Sequence, residues 1–86
     1  MYSIVFTKRA ANEISKLKTA KLDQKAISLI DIIRKDPYQS PPSFEKLRGD
    51  LQGTFSRRIN IRHRLVYEVL EAEKCVKIIS MWTHYE

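Results

Sequence analysis

Residues Ser56 to Tyr67 read Ser-Arg-Arg-Ile-Asn-Ile-Arg-His-Arg-Leu-Val-Tyr, with five cationic or titratable side chains set among strand-forming residues. The alternation predicts β-strands with one face buried. The run from Arg57 to Arg64 contains no acidic residue. Because like charges repel across neighbouring strands, this run favours a surface that binds an anion such as nucleic acid. The alternative is a solvated face with no ligand.

The residues before this stretch predict one strand and two helices. Tyr2–Phe6 is short, aromatic and β-branched, which is typical of a strand, and Thr7 is suited to cap the helix that follows. A second apolar stripe must end by Asp36, because Pro37 disfavours helical geometry in the residue before it. The two helical stripes comprise Ala10, Ile14 and Leu17, then Leu22, Ala26, Leu29, Ile30 and Ile33.

After Gly53 the apolar period changes from 3.6 to 2 residues, which predicts three further strands. The last, Cys75–Trp82, is nearly all apolar, as expected for a central strand covered on both faces. Glu71–Lys74 is the expected hairpin before it. The order of strand, two helices and three strands predicts an α+β fold with a mostly antiparallel sheet and the helices on one face.

Length, net charge and cysteine content limit the kinds of protein that this chain can be. The chain has 86 residues, so one domain over residues 1–86 is expected, and its net charge of +6 suits a polyanionic partner. The single cysteine, Cys75, allows no internal disulfide and fits a reducing cytoplasm. No stretch has the pattern of a signal peptide, a membrane span or a metal-binding motif, so no membrane association, metal or cofactor is expected.

Three residues outside the helices suit the metal-free cleavage of RNA, which carries its own nucleophile in the 2′-hydroxyl group. Glu45 could accept the 2′-hydroxyl proton, Arg64 could stabilise the charged phosphorane, and His84 could protonate the departing 5′-oxygen. The simpler alternatives are a solvated carboxylate, an ion pair of Arg64 with Glu68, and a frayed chain end. Tyr85 is the candidate for stacking on a base.

The chain also resembles the YoeB/Txe toxins of bacterial toxin–antitoxin modules, within the wider RelE-like ribonuclease superfamily. The resemblance covers Phe44 to Val69 and returns at the C-terminus. It rests on the segments Phe44-Glu45-Lys46-Leu47, Leu51-Gln52-Gly53, Phe55-Ser56-Arg57-Arg58-Ile59, His63-Arg64-Leu65-Val66-Tyr67 and His84-Tyr85. Two departures are Glu86, which follows the tyrosine, and a slightly longer final strand.

The resemblance implies a small curved RelE-like sheet and an mRNA interferase that cleaves mRNA in the ribosomal A site. It implies Glu45 as general base, Arg64 as transition-state stabiliser, His84 as general acid and Tyr85 as the residue that positions the nucleotide. It also implies inhibition by a cognate YefM-, Axe- or Phd-like antitoxin, with a homodimer as a further expectation. The expected RNA contacts, from the basic run and the resemblance together, are Arg48, Arg57, Arg58, Arg62 and His63.

Two other functions remain open at this stage. Toxins of the ParE type share the fold but inhibit DNA gyrase and lack the acid–base set. A basic module that binds RNA or the ribosome without cutting it would need only the charge and the aromatic residues.

Overall fold

The computed structural model describes residues 1–47 and 53–84 of the chain. Within these ranges, five strands form one sheet, and three short helices separate the first strand from the rest. The elements are β1 (Ser3–Phe6), α1 (Lys8–Asn12), α2 (Ile14–Thr19), α3 (Asp23–Lys35), β2 (Glu45–Lys46), β3 (Thr54–Arg58), β4 (His63–Leu70) and β5 (Cys75–His84).

The strand order across the sheet is β1-β5-β4-β3-β2. β1 runs parallel to β5, and every other neighbouring pair is antiparallel. The helices and the buried side of the sheet share one hydrophobic core. The predicted α+β class, the mostly antiparallel sheet and the helices on one face are therefore confirmed. The two-residue strand β2 is an addition to the predicted order.

The first helix begins as predicted. The Thr7 hydroxyl accepts a hydrogen bond from the Ala10 backbone N–H at 3.1 Å, which satisfies one of the donors that a helix start leaves open. The same hydroxyl donates to the Ile79 carbonyl at 2.7 Å, so the cap also joins the helix to β5.

The helical stripe predicted from Ala10, Ile14 and Leu17 is interrupted at Glu13, where α1 ends and α2 begins. Ala10 and Leu17 are buried, but Ile14 is 38% exposed, so its predicted place in the core is wrong. The side chain that turns inward is Glu13, only 7% exposed, and its Oε1 accepts the Met81 backbone N–H at 2.8 Å.

This contact compensates for an irregularity in β5. The register between β4 and β5 shifts on both sides of Val66, so the regular ladder is interrupted opposite Met81. A backbone N–H that loses its ladder partner in a buried place needs another acceptor. The Glu13 carboxylate supplies it, and Arg9 donates to the other carboxylate oxygen at 3.3 Å.

The second helical stripe forms α3, which ends at Lys35 before Pro37, as predicted. Four of its five apolar residues are buried, and Leu22 packs partly buried against them. The core comprises Ala10, Leu17, Ala26, Leu29, Ile30, Ile33, Phe55, Ile59, Leu65, Tyr67, Val69, Val76, Ile78 and Met81.

The strands after Gly53 also form, and Gly53 itself has a positive φ of 78° at the turn into β3. Glu71–Glu73 makes one 3₁₀ turn between β4 and β5, where the hairpin was predicted. In β5, Val76 and Ile78 are buried, but Lys77 and Ile79 on the other side are only half-buried. β5 is therefore the interior strand that was predicted, with the helices packed on one face and no exposed residue between Cys75 and Trp82. None of the helices in the described ranges has the length and apolar composition needed to cross a membrane.

We expect Glu13→Ala to lower the free energy of unfolding by about 1–3 kcal/mol, because the buried Met81 N–H would lose its acceptor. Glu13→Gln retains an oxygen at the same place and should cost less. Urea denaturation of both variants measures the difference. Asp31→Ala is the control, since it removes an exposed ion pair with Arg34, and it should change stability by less than about 1 kcal/mol. Equal losses for the alanine and glutamine variants would contradict the role of the Glu13 oxygen.

Candidate active site

The site lies on the face of the sheet that the helices leave uncovered. Side chains along β3 and β4 alternate between the two faces. Phe55 and Tyr67 point into the core, whereas Arg58 and Arg64 lie on the open face, directly opposite one another in the β3–β4 register. Two guanidinium groups at opposed positions repel each other, so the arrangement favours an anion between or above them.

The structure brings Glu45 and Arg64 together. Arg64 Nη2 donates to Glu45 Oε1 at 3.0 Å, and Arg64 Nη1 donates to Ser56 Oγ at 3.1 Å. Strand pairing explains why these two side chains are close. Ser56 of β3 lies between Glu45 of β2 on one side and Val66 of β4 on the other. Arg64 is two residues from Val66 and therefore shares its face of the sheet. Arg64 thus forms an ion pair with Glu45, and the Glu68 carboxylate, which was the alternative partner, lies 4.0 Å from the Lys77 amine.

The side chains of Glu45 and Arg64 differ in how far they are exposed to solvent, and this difference suits them to different chemical roles. The Glu45 side chain is 60% exposed, whereas that of Arg64 is 16% exposed. A carboxylate open to solvent can receive a proton from a bound molecule, and a half-buried guanidinium held by two acceptors is fixed in direction.

An open cavity of about 340 Å³ is centred on this pair. Its lining combines one carboxylate, two guanidinium groups, two hydroxyls and one aromatic ring. The lining residues are Ser43, Phe44, Glu45, Ser56, Arg58 and Arg64. Sequence reasoning missed Ser43 and Ser56 as site residues. For Ser56 the signal was available, because it stands two residues from Arg58 in an alternating strand and therefore shares its face.

The C-terminal end of β5 reaches the same end of the sheet. Thr83 is paired with Arg64 and His84 with His63 across the β4–β5 ladder. On the open face, the hydroxyls of Ser80 and Thr83 are hydrogen-bonded to each other. The backbone of His84 is therefore one residue from the partner of Arg64. The predicted contributions of Arg48 and Tyr85 lie outside the described residues.

Arg57 is not an RNA contact, contrary to the sequence-based expectation. Its residue surface is 1% exposed, on the core side of β3. Its guanidinium donates to the Tyr67 hydroxyl at 3.1 Å and to the carbonyls of Pro37, Gln39 and Pro42 at 3.1, 2.9 and 2.7 Å. These contacts explain why β3 carries two successive arginines, one of which faces inward.

The Tyr67 hydroxyl, which accepts a hydrogen bond from Arg57, is neutral and has a fixed orientation. Burial raises the pKa of Tyr67, and the hydrogen bond from Arg57 opposes the rise in part. The Tyr67 hydroxyl donates in turn to the Pro37 carbonyl at 2.8 Å. Arg57 and Tyr67 therefore hold the same connecting segment together.

The prediction of His63 as an RNA contact is also wrong, because the residue is buried with 7% exposure. Its ring stacks on Trp82 with centroids 3.9 Å apart. Arg62, in contrast, is exposed in the loop between β3 and β4, where the Asn60 side chain accepts hydrogen bonds from the backbone N–H groups of Arg62 and His63. Of the five predicted RNA contacts, Arg58 and Arg62 are placed on the surface.

Across residues 1–47 and 53–84, no group of three or more histidine, cysteine or acidic side chains is placed to hold a metal ion.

Comparison with known proteins identifies the family. Residues 6–85 match the model of the YoeB-like toxin of bacterial type II toxin–antitoxin system. The chain is 41% identical over 66 residues to Toxin YoeB of Synechocystis sp., which covers 77% of this chain and 74% of the relative.

Solved structures agree with this assignment. In the heterotetrameric YoeB–YefM toxin–antitoxin complex from Staphylococcus aureus, a chain superposes with a TM-score of 0.80 at 32% identity, with 99% of each chain covered. The YoeB dimer from the same organism is similar, at 31% identity and a TM-score of 0.80, with 98% of each chain covered.

The isolated RelE toxin of E. coli shares the fold at 23% identity, with a TM-score of 0.79 over all of this chain and 87% of RelE. The predicted RelE-like architecture is thereby confirmed. The protein belongs to the YoeB-like toxins of bacterial type II toxin–antitoxin systems.

Proposed function

We propose that this toxin is a ribosome-dependent mRNA interferase, an endoribonuclease that cleaves mRNA by attack of the 2′-hydroxyl group. The observation that carries the proposal is the Glu45–Arg64 pair, joined at 3.0 Å in an open cavity on the cationic face of the sheet. A proton acceptor beside a fixed cation is the arrangement that this chemistry needs.

Each group has one role in the proposed reaction. Glu45 takes the proton from the 2′-hydroxyl, whose oxygen then attacks the adjacent phosphorus atom. Arg64 stabilises the negative charge of the phosphorane through the planar fork of its guanidinium, with Arg58 beside it. His84 protonates the 5′-oxygen as the P–O bond breaks, and Tyr85 orients the nucleotide. The products are a 2′,3′-cyclic phosphate and a 5′-hydroxyl.

The proposed partners are mRNA in the ribosomal A site and a cognate antitoxin. The net charge of +6 favours association with both ribosomal RNA and an acidic protein. The complex of Staphylococcus aureus YoeB with YefM supports an antitoxin of that kind, and the YoeB dimer supports self-association. A ribosomal target places the proposed activity in the cytoplasm.

The other two functions are less well supported by the geometry. A gyrase inhibitor of the ParE type, or a module that only binds RNA, has no need of a carboxylate held against a guanidinium. Cleavage of mRNA on translating ribosomes distinguishes the proposed enzyme from both.

Replacing Glu45 with glutamine should lower the single-turnover cleavage rate on programmed ribosomes at least about 100-fold, because the amide cannot accept the 2′-hydroxyl proton. Ribosome binding and the folded state should be retained, since Glu45 is exposed at the edge strand β2. Glu73→Gln makes the same chemical change in the exposed turn before β5 and should cleave at the wild-type rate. An unchanged rate in the Glu45 variant would remove Glu45 from the mechanism.

The ends of the wild-type product provide a separate measurement. End mapping should find a 2′,3′-cyclic phosphate or the 3′-phosphate derived from it. A 3′-hydroxyl end would mean that water attacked the phosphorus from the other side, and the internal nucleophile would have to be abandoned.

Replacing Arg58 with alanine should weaken ribosome binding and reduce the slope of log affinity against log salt by about one unit, because one phosphate contact is lost. Lys25→Ala, which removes an exposed cation from α3 on the other side of the molecule, should leave the slope unchanged. Binding measured from low to high salt checks both variants. If the two variants gave the same slope, Arg58 would have no special place in RNA binding.

A further inference from the structure

Residues 37–44, which we call the strap, connect α3 to β2 and carry the chain to Glu45. The strap is fastened from inside by Arg57, through the hydrogen bonds to the carbonyls of Pro37, Gln39 and Pro42. On the outer side, the Tyr38 hydroxyl donates to Glu71 Oε1 at 2.7 Å. Hydrogen bonds from Tyr38 and Tyr2 lower the pKa of Glu71, so this anchor stays ionised at neutral pH.

The end of the strap is packed against the same guanidinium. The Arg57 carbon Cζ lies 4.9 Å from the centre of the Phe44 ring, and that ring meets Phe55 edge to face at 5.7 Å. Phe44 is followed directly by Glu45. The described contacts therefore run without a break from Arg57 through the last residue of the strap to the carboxylate of the site.

β2 is too short to fix Glu45 alone. It has two residues, and its register consists of Glu45 opposite Ser56 and Lys46 opposite Phe55. Strands in stable sheets usually have five or six residues, so two pairs at a sheet edge give little resistance to displacement. Besides these pairs, Glu45 is held by its contact with Arg64 and by the Leu47 N–H, which donates to the Thr54 carbonyl at 2.9 Å. The strap is the element that brings Glu45 to this edge.

We infer that Arg57 is a positioning residue for the proposed cleavage, which sets the distance between Glu45 and Arg64 without touching RNA. This inference rests on the proposed function of the site. The four described hydrogen-bond acceptors of Arg57 are neutral, and its other described contacts are with the rings of Phe44 and Tyr67. A buried charge without a described ionic partner is a costly way to gain stability. What a guanidinium provides there is a planar set of donors that reaches three carbonyls and a hydroxyl at once. Lysine cannot reproduce this set.

Arg57→Lys tests the inference. With the protein folded, we expect the single-turnover rate at saturating ribosomes to fall about 100-fold, because a displacement of about 1 Å at the reacting groups has an effect of that size. The concentration of ribosomes needed for half-saturation should stay near the wild-type value, since Arg57 is buried away from the RNA. Leu29→Ala is the control for stability alone, because it creates a cavity in the core beneath α3. Assayed below its unfolding range, it should cleave at the wild-type rate.

A double-mutant cycle shows whether Arg57 acts through Glu45. If it does, Arg57→Lys should slow the wild-type enzyme but should have little further effect in a Glu45→Gln background. Rate losses that multiply, or a full rate in the single variant, would overturn the inference. Should Arg57→Lys fail to fold, Tyr67→Phe removes one acceptor of Arg57 and one donor to Pro37, and the same cycle applies to it.

A crystal structure of the variant gives a readout that does not depend on activity. We expect the Glu45 carboxylate to move out of hydrogen-bonding distance of Arg64 Nη2. Retention of the 3.0 Å contact would overturn the role of Arg57 even if the proposed nuclease activity were established. A displaced carboxylate in a protein that never cleaves RNA would support the positioning role and refute the proposed function separately.

Discussion

A guanidinium group in a protein interior must find an acceptor for its donors, and this requirement shapes the path of the chain around Arg57. Three carbonyls of the strap turn towards the group, and the Tyr67 hydroxyl completes the set. The backbone of the strap is therefore held against the edge of the core, with Pro37 buried and Phe44 half-buried at its two ends. Phe44 is the last residue of the strap, and Glu45, which follows it, contacts Arg64 of β4 on the open face. The cavity of the site is a consequence of an interaction on the other face of the same sheet.

A second buried acidic or basic side chain, Glu13, has a comparable effect on β5, near the residues that pair with Arg64 and His63. Glu13 ends α1, starts α2 and accepts the Met81 N–H where the β4–β5 register shifts. The shift determines which residues of β5 face Arg64 and His63. The helices are thus connected to the terminal part of β5 by a hydrogen bond as well as by apolar packing. Arg57 and Glu13 both form hydrogen bonds with backbone groups outside regular structure: Arg57 with the strap, and Glu13 with the irregular part of β5.

Much of this architecture was predictable from local patterns. The Thr7 cap follows from residue type, and the stripe of α3 and the alternation in β3 and β4 follow from residue spacing. The resemblance to the YoeB-like toxins pointed to Glu45 and Arg64. Alternation shows that Arg57 and Arg58 face opposite ways. It does not show which of the two is buried, because that depends on carbonyls contributed by the strap about 15 to 20 residues earlier. The burial of Glu13 in place of Ile14 could not be predicted either. It depends on the Met81 N–H, which needs an acceptor because the register of β5 is irregular there. Residue spacing predicted single elements well. It failed where a buried polar side chain forms a hydrogen bond with a backbone group of another element.

The parallel pairing of β1 with β5 has a consequence for the order of events during synthesis. Ser3 pairs with Cys75 and Phe6 with Ile78, so β1 has no strand beside it until β5 has been synthesised. β4 likewise lacks one of its two partners until then. Contacts between residues so far apart in sequence form late and slowly. A nascent chain stopped before β5 would therefore carry Glu45 and Arg64 on β2 and β4 without the strand that joins β4 to β1. The complete sheet around the site is therefore available only after β5 has been translated.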